Sequence, residues 1–140
     1  MCANPRTLAS EATACDSPPT REETKLVLSL RCIWGNLRLG PGKIELLERI
    51  GRCGSISEAA REMDMSYRRA WLLVAELNQG FRQPVVAAQT GGKGGGHAVL
   101  TEFGRDLIER YRAIERDARS AVAPHLEALE AELVDPGLKR

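Results

Sequence analysis

The sequence predicts a mostly α-helical fold that carries one small β-hairpin and closes with a long helix. Three observations predict it. Apolar residues recur at spacings of three and four over residues 43–52, 66–78 and 101–121, the period of an amphipathic helix. Two short helices are parted only by Asp64-Met65 and open on serines, Ser57 and Ser66. Two brief extended runs, residues 85–88 and 97–100, flank a glycine-rich tip, which is the pattern of a hairpin.

At 140 residues, with 43% hydrophobic and 28% charged residues, the chain has about the size of one ordinary domain. Aromatic residues make up only 4%, so an aliphatic core is expected. No apolar run approaches the roughly 20 residues that span a bilayer. The N-terminus scatters Pro5, Arg6, Glu11 and Asp16 where a secretory signal would be apolar, so a cytoplasmic protein without membrane contact is expected. Cys2, Cys15, Cys32 and Cys53 form no C-x-x-C pair and have no histidine at zinc spacing. No metal site is therefore expected, and Cys53 reads as a small core residue. The net charge of +1 does not advertise a polyanionic partner. Its distribution is more informative, because a phosphate backbone responds to the local field. Glu127, Glu130, Glu132 and Asp135 crowd the tail, while Arg61, Arg68, Arg69, Arg82 and Lys93 lie together in the middle.

Residues 1–24 are rich in Ala, Ser, Thr, Pro and charge without periodicity, and are expected to form a disordered arm. In residues 26–39, Leu28, Leu30, Cys32 and Trp34 alternate with Ser29, Arg31 and Ile33. Gly35-Asn36 then offers a turn, so a short hairpin is expected. After Gly40-Pro41-Gly42 the period changes, with Ile44, Leu47, Ile50 and Cys53 on one helical face and Gly51 and Gly54 marking its end. Ser57 is placed to cap a helix through Met63 and Ser66 to cap one from Tyr67 to Asn78, each cap contributing about 1 kcal/mol. The buried set of this pair would be Ile56, Ala59, Ala60, Met63, Met65, Ala70, Val74 and Leu77. Thr101 caps the last helix, whose stripe runs through Phe103, Leu107, Tyr111, Ile114, Ala118 and Ala121. Pro124 is expected to end or kink it.

Helix, helix, tight turn, helix, hairpin is the plan of a winged helix-turn-helix, whose second helix enters the DNA major groove. With Ala70, Val74 and Leu77 turned to the core, the 3.6-residue period puts Tyr67, Arg68, Trp71 and Ala75 on the other side. Arg68 and Arg69 then stand in the first turn, the end that reaches base edges. A guanidinium fork spans the O6 and N7 of guanine. Trp71 reads either as packing against a neighbouring element or as lying against sugar and thymine methyls. The tip Thr90-Gly91-Gly92-Lys93-Gly94-Gly95-Gly96 brings backbone N–H groups and one cation within reach of phosphate. It lacks the Ser or Thr after Gly92-Lys93 that a Walker loop needs. His97 and His125 are the only histidines, and neither sits in a nucleophile–base arrangement, so an enzyme is not expected.

The segments LGPGKIELLERI, GSISEAAREMDMSYRRAWLLVAELN and QTGGKGGGHAVLTEFG together resemble the N-terminal DNA-binding domain of the ModE family of molybdate-responsive regulators, over residues 39–112. The resemblance implies a LysR-type winged helix-turn-helix that binds an inverted repeat of double-stranded DNA as a homodimer. It carries Ser66, Tyr67, Arg68 and Arg69 over as groove contacts and Lys93 as a wing contact; Ser57, Trp71 and Thr90 complete the expected DNA-binding set. His97 stands where the family's wing continues with glycine. Relatives in this family sense molybdate through C-terminal domains, and this chain ends in an acidic helix soon after the wing. A single-domain form without a bound cofactor is therefore expected, with no molybdate site of its own.

The organisation expected is an arm over residues 1–24, a winged helix-turn-helix over 25–100 and a dimerisation helix over 101–135. In that helix Leu107, Tyr111, Ile114 and Ala118 are the candidate dimer surface, since a lone apolar stripe of such length needs a partner. Two other readings use the same fold. One is an adaptor that pairs with another regulator or sensor subunit, and the other is an oxyanion-binding protein built on the glycine-rich tip.

Overall fold

The computed structural model describes residues 26–89 and 97–134, and its elements follow the punctuation of the sequence. Strands β1 (Cys32–Trp34) and β2 (Leu37–Leu39) pair antiparallel, Cys32 opposite Leu39. Gly35 takes a positive φ of 59° at the turn between them, a conformation that glycine reaches without a Cβ penalty. The hairpin is shorter than the extended run suggested. Leu39 is buried and Cys32 and Leu37 pack partly against the core, but Trp34 is 56% exposed, so the alternation does not hold to the strand's end.

Helix α1 (Pro41–Cys53) starts with proline in its first turn, where the missing N–H costs nothing. It runs through Gly51, which does not end it. Termination comes at Gly54, left-handed at φ 74°, whose N–H donates to the Ile50 carbonyl at 2.8 Å. Gly54 and Ser55 alone separate α1 from helix α2 (Ile56–Glu62), and it is Ser55 that caps α2. Its extended backbone directs the hydroxyl to accept from the Glu58 N–H at 3.1 Å. The expectation that Ser57 caps this helix is corrected, because Ile56 already has helical geometry and Ser57 lies exposed within the first turn.

The end of α2 uses a closed hydrogen-bond pattern. Met65 N–H donates to the Ala60 carbonyl at 3.0 Å and Asp64 N–H to that of Arg61 at 3.2 Å, the two bonds of a Schellman motif. The left-handed position is filled by Asp64 at φ 59°, one of the few non-glycine residues that tolerate it. Ser66 then caps helix α3 (Tyr67–Gly80) as expected, accepting from the Arg69 N–H at 3.1 Å. Strands β3 (Val86–Gln89) and β4 (His97–Leu100) pair antiparallel in the register Val86↔Leu100 to Gln89↔His97. Helix α4 (Glu102–Glu130) follows, with Thr101 Oγ1 accepting from the Gly104 N–H at 2.9 Å.

Residues 28–121 form one compact unit, and the described residues outside it, 26–27 and 122–134, group separately. The core of the larger unit takes Ile44, Leu46, Leu47 and Ile50 from α1, Ala59 and Ala60 from α2, and Ala70, Val74 and Leu77 from α3. Val85, Val86 and Ala98 extend it under the hairpin, and Leu107 and Tyr111 close it from α4. The small side chains at 59, 60 and 70 sit where helices approach closely. Ile56, Met63 and Met65 pack at the margin rather than inside, and Cys53 is likewise only partly buried.

Tyr111 is fully buried, and its hydroxyl donates to the Leu30 carbonyl at 2.6 Å. Burial pushes the phenol's pKa up, with the Glu115 carboxylate adding to it. Beside it Arg112 grips Glu48 on α1 with two bonds, at 2.8 and 3.0 Å, and reaches Glu115 at 2.7 Å. These two carboxylates hold the guanidinium more firmly protonated than usual. Leu107 and Tyr111, expected on a dimer surface, are instead buried in this chain's own core. Ile114, 43% exposed, and the half-buried Ala118 remain accessible.

In the smaller group the helix passes through Pro124 to Glu130, so proline does not end it. A mid-helix proline removes one backbone bond, and the good helix formers Leu126, Glu127, Ala128 and Leu129 carry the turn onward. None of the described helices is long and apolar enough to cross a membrane.

Candidate nucleic-acid interface

Ser66 and the core-facing residues of α3 fix what the helix shows to solvent. With Ala70, Val74 and Leu77 buried, Tyr67, Arg68, Arg69, Trp71 and Leu72 are exposed, Tyr67 by 54% and Trp71 by 50%. Trp71 is thus resolved as a surface residue, one helical turn beyond Tyr67.

Several arginines of this unit are held in ion pairs. Arg49 bonds Glu45 at 2.6 Å and Glu62 at 3.0 Å, Arg52 bonds Glu62 at 2.7 Å, and Arg112 is held as described. Arg61 lies 3.6 Å from Glu58. Among the described residues Arg68 and Arg69 form no ion pair, and the first turn of α3 contains no acidic side chain. Two cations at a helix N-terminus oppose the macrodipole, which does not stabilise them there. An external anion would.

Glu62 bridges α1 and α2. It accepts from the Cys53 thiol at 3.3 Å as well as from the two guanidiniums. The thiol bond, then the arginines, hold its carboxyl below the ordinary range, and burial together with Glu62 pushes the thiol up. Among the described residues no cluster of His, Cys, Asp and Glu is placed to hold a metal ion.

An open groove of about 820 Å³ runs between α2, α3 and the hairpin. Ser57, Glu58, Arg61, Tyr67, Trp71 and His97 line it. The structure therefore gathers Ser57 with Tyr67 and Trp71 on one face, although Ser57 is not a cap. Thr90 and Lys93, expected at the wing tip, lie outside the described residues. The strands that lead to that tip are described, and they are anchored closely. Asn78 Oδ1 accepts from Val85 N–H at 2.8 Å and from Val86 N–H at 3.2 Å, while its Nδ2 donates to the Val86 carbonyl at 3.2 Å. Thr101 N–H donates to the Val85 carbonyl at 3.0 Å and its hydroxyl to that of Pro84 at 2.7 Å. Ala98 N–H donates to Gly54 at 3.0 Å. Sequence reasoning missed Ser55, Asn78 and Gly104. Asparagine near a helix end is a weak signal for a backbone clasp; the contact of Gly104 with the Val85 backbone, where a β-carbon would stand 2.2 Å from the carbonyl oxygen, has none.

Residues 42–105 match the family described as bacterial regulatory helix-turn-helix protein, lysR family. The chain is 48% identical over 100 residues to the molybdenum-pterin-binding protein MopB of Rhodobacter capsulatus, which covers 71% of this chain and 36% of that protein. It is 40% identical over 89 residues to the DNA-binding transcriptional dual regulator ModE of Escherichia coli K12, covering 64% of this chain and 34% of that protein. With the transcriptional regulator ModE of Haemophilus influenzae it shares 32% over 100 residues, 71% of this chain and 39% of the relative. The chain thus spans about a third of the length of the curated relatives it matches.

Proposed function

We propose that this chain, whose residues 42–105 match the lysR-family bacterial regulatory helix-turn-helix and which is similar to the regulator ModE, is a sequence-specific DNA-binding transcription regulator. Helix α3 enters the major groove by its N-terminal turn. Arg68 and Arg69 read base edges, Tyr67 and Trp71 lie against sugar and thymine methyls, and Ser57 reaches the flanking backbone. The wing tip, with Thr90 and Lys93, follows the neighbouring phosphates. One observation carries this reading: two arginines that pair with no acid among the described residues, in the exposed first turn of a helix that Ser66 and a buried Ala70, Val74 and Leu77 hold in place.

The regulator acts as a homodimer on an inverted repeat. Its two recognition helices are set about 34–36 Å apart, one turn of DNA. Ile114 and Ala118, which the protomer leaves accessible on α4, supply part of the dimer contact.

Selection from random duplex DNA tests the proposal. A palindromic sequence is expected to be enriched, and Arg68→Ala and Arg69→Ala each weaken its binding by about 1–3 kcal/mol with relaxed preference at one base pair. Binding falls steeply with added salt, which a helix-mediated protein contact would not do. No enrichment, with both variants indistinguishable from the parent, overturns it. A monomeric mass at micromolar concentration overturns the dimer separately.

A further inference from the structure

Asn78 lies near the C-terminal end of α3, three turns from Arg68 and Arg69 on the same helix. Its side-chain amide meets both peptide groups of Val86 and the N–H of Val85. In an antiparallel pair, residues alternate between bonding across the ladder and turning their N–H and C=O outward. Val86, opposite Leu100, turns outward, and Asn78 takes the place of the missing strand. Two pairs along, Ala98 opposite Ala88 also turns outward, and its N–H goes to the Gly54 carbonyl at the end of α1. The base of the hairpin is therefore held on both free edges, by the recognition helix on one and by the α1–α2 corner on the other. Of these two anchors only Asn78 is a side chain.

We infer that Asn78 is a positioning residue, which fixes the angle between the hairpin and α3 so that wing and helix engage one duplex in register. Val85 is fully buried, so its N–H has no water to turn to when the amide is removed. The hairpin then swings about the loop at residues 81–84. The helix keeps its base contacts, and the wing loses its phosphates. This inference rests on the DNA-binding reading above and adds how the two contact elements are coupled.

The experiment uses the full chain with Asn78→Ala, and with Asn78→Ser as a second neutral variant whose hydroxyl is too short to span to β3. Thermal melts select a temperature at which each is folded. Affinity for the enriched duplex is then followed by fluorescence anisotropy across a salt series. The expected result is a roughly ten-fold loss of affinity together with a logarithmic salt slope shallower by about one, the signature of a lost phosphate contact. A role in stability alone lowers the folded fraction, scales affinity equally at every salt concentration and leaves the slope unchanged, which overturns the inference. Should the parent protein show no salt-dependent binding to any duplex, the DNA-binding reading fails first and the inference with it.

Discussion

Substituting Gly104 by alanine tests how the hairpin is joined to the last helix. A β-carbon there would stand 2.2 Å from the Val85 carbonyl oxygen, 3.1 Å from its carbon and 3.3 Å from the Cα. All three are backbone atoms, so no side chain can swing aside, and α4 and the Val85 segment must separate by about 1 Å to restore van der Waals distance. The same joint holds the Thr101 N–H bond to Val85 and the Thr101 hydroxyl bond to Pro84. Overpacking costs about 1–3 kcal/mol and a weakened hydrogen bond about 1 kcal/mol more. Against this, alanine gains about 1 kcal/mol over glycine within a helix. The net expectation is a loss of about 2 kcal/mol, or a melting temperature lower by about 10 °C for a unit of this size. Gly42→Ala is the control, because nothing lies within 4 Å of its β-carbon in α1; it should be neutral or stabilise by up to about 1 kcal/mol. Urea unfolding followed by far-ultraviolet circular dichroism measures both. If Gly104→Ala is as stable as Gly42→Ala, the backbone contact does not exist as described and the anchoring of the hairpin must be rethought.

Two further outcomes follow from the helix corners. Ser55→Ala and Ser66→Ala should each cost about 1 kcal/mol in unfolding experiments, while Ser57→Ala stays within about 0.5 kcal/mol; the reverse order for Ser55 and Ser57 would return the cap to Ser57. Glu62 gives a pH dependence. Its folded carboxyl lies below the ordinary value of 4.5, so the stability it lends is present above that value and is lost as pH falls through the lower, folded one. The difference in melting temperature between the parent and Glu62→Gln should therefore persist near neutrality and close in acid, whereas a gap that widens in acid contradicts the assignment.

The helical elements and the choice of fold were legible because periodicity acts locally. Ala70, Val74 and Leu77 at helical spacing decide which way α3 faces, and therefore that Tyr67, Arg68 and Trp71 face out. The family likeness read from SYRRAW and TGGKGGG agrees with the comparisons. What went astray shares one cause. Ser55 and Ser57 both precede a helical pattern, and only the tight end of α1, closed by Gly54, determines which one is left outside α2. Leu107 and Tyr111 sit on the same apolar stripe as Ile114 and Ala118, and periodicity cannot divide that stripe between a protomer's core and its surface. Contacts of α4 with α1 and with the segment at Leu30 make that division.

By itself, then, the sequence determined the order of the main helices and strands and which face of α3 is free, because both follow from interactions within a few residues. Tertiary structure alone decided that Asn78 clasps β3, that Glu62 pairs with Arg49 and Arg52 and accepts from the Cys53 thiol, and that Gly104 lets two backbones meet. Each depends on elements far apart in the chain arriving at one point, and no local pattern encodes the arrival.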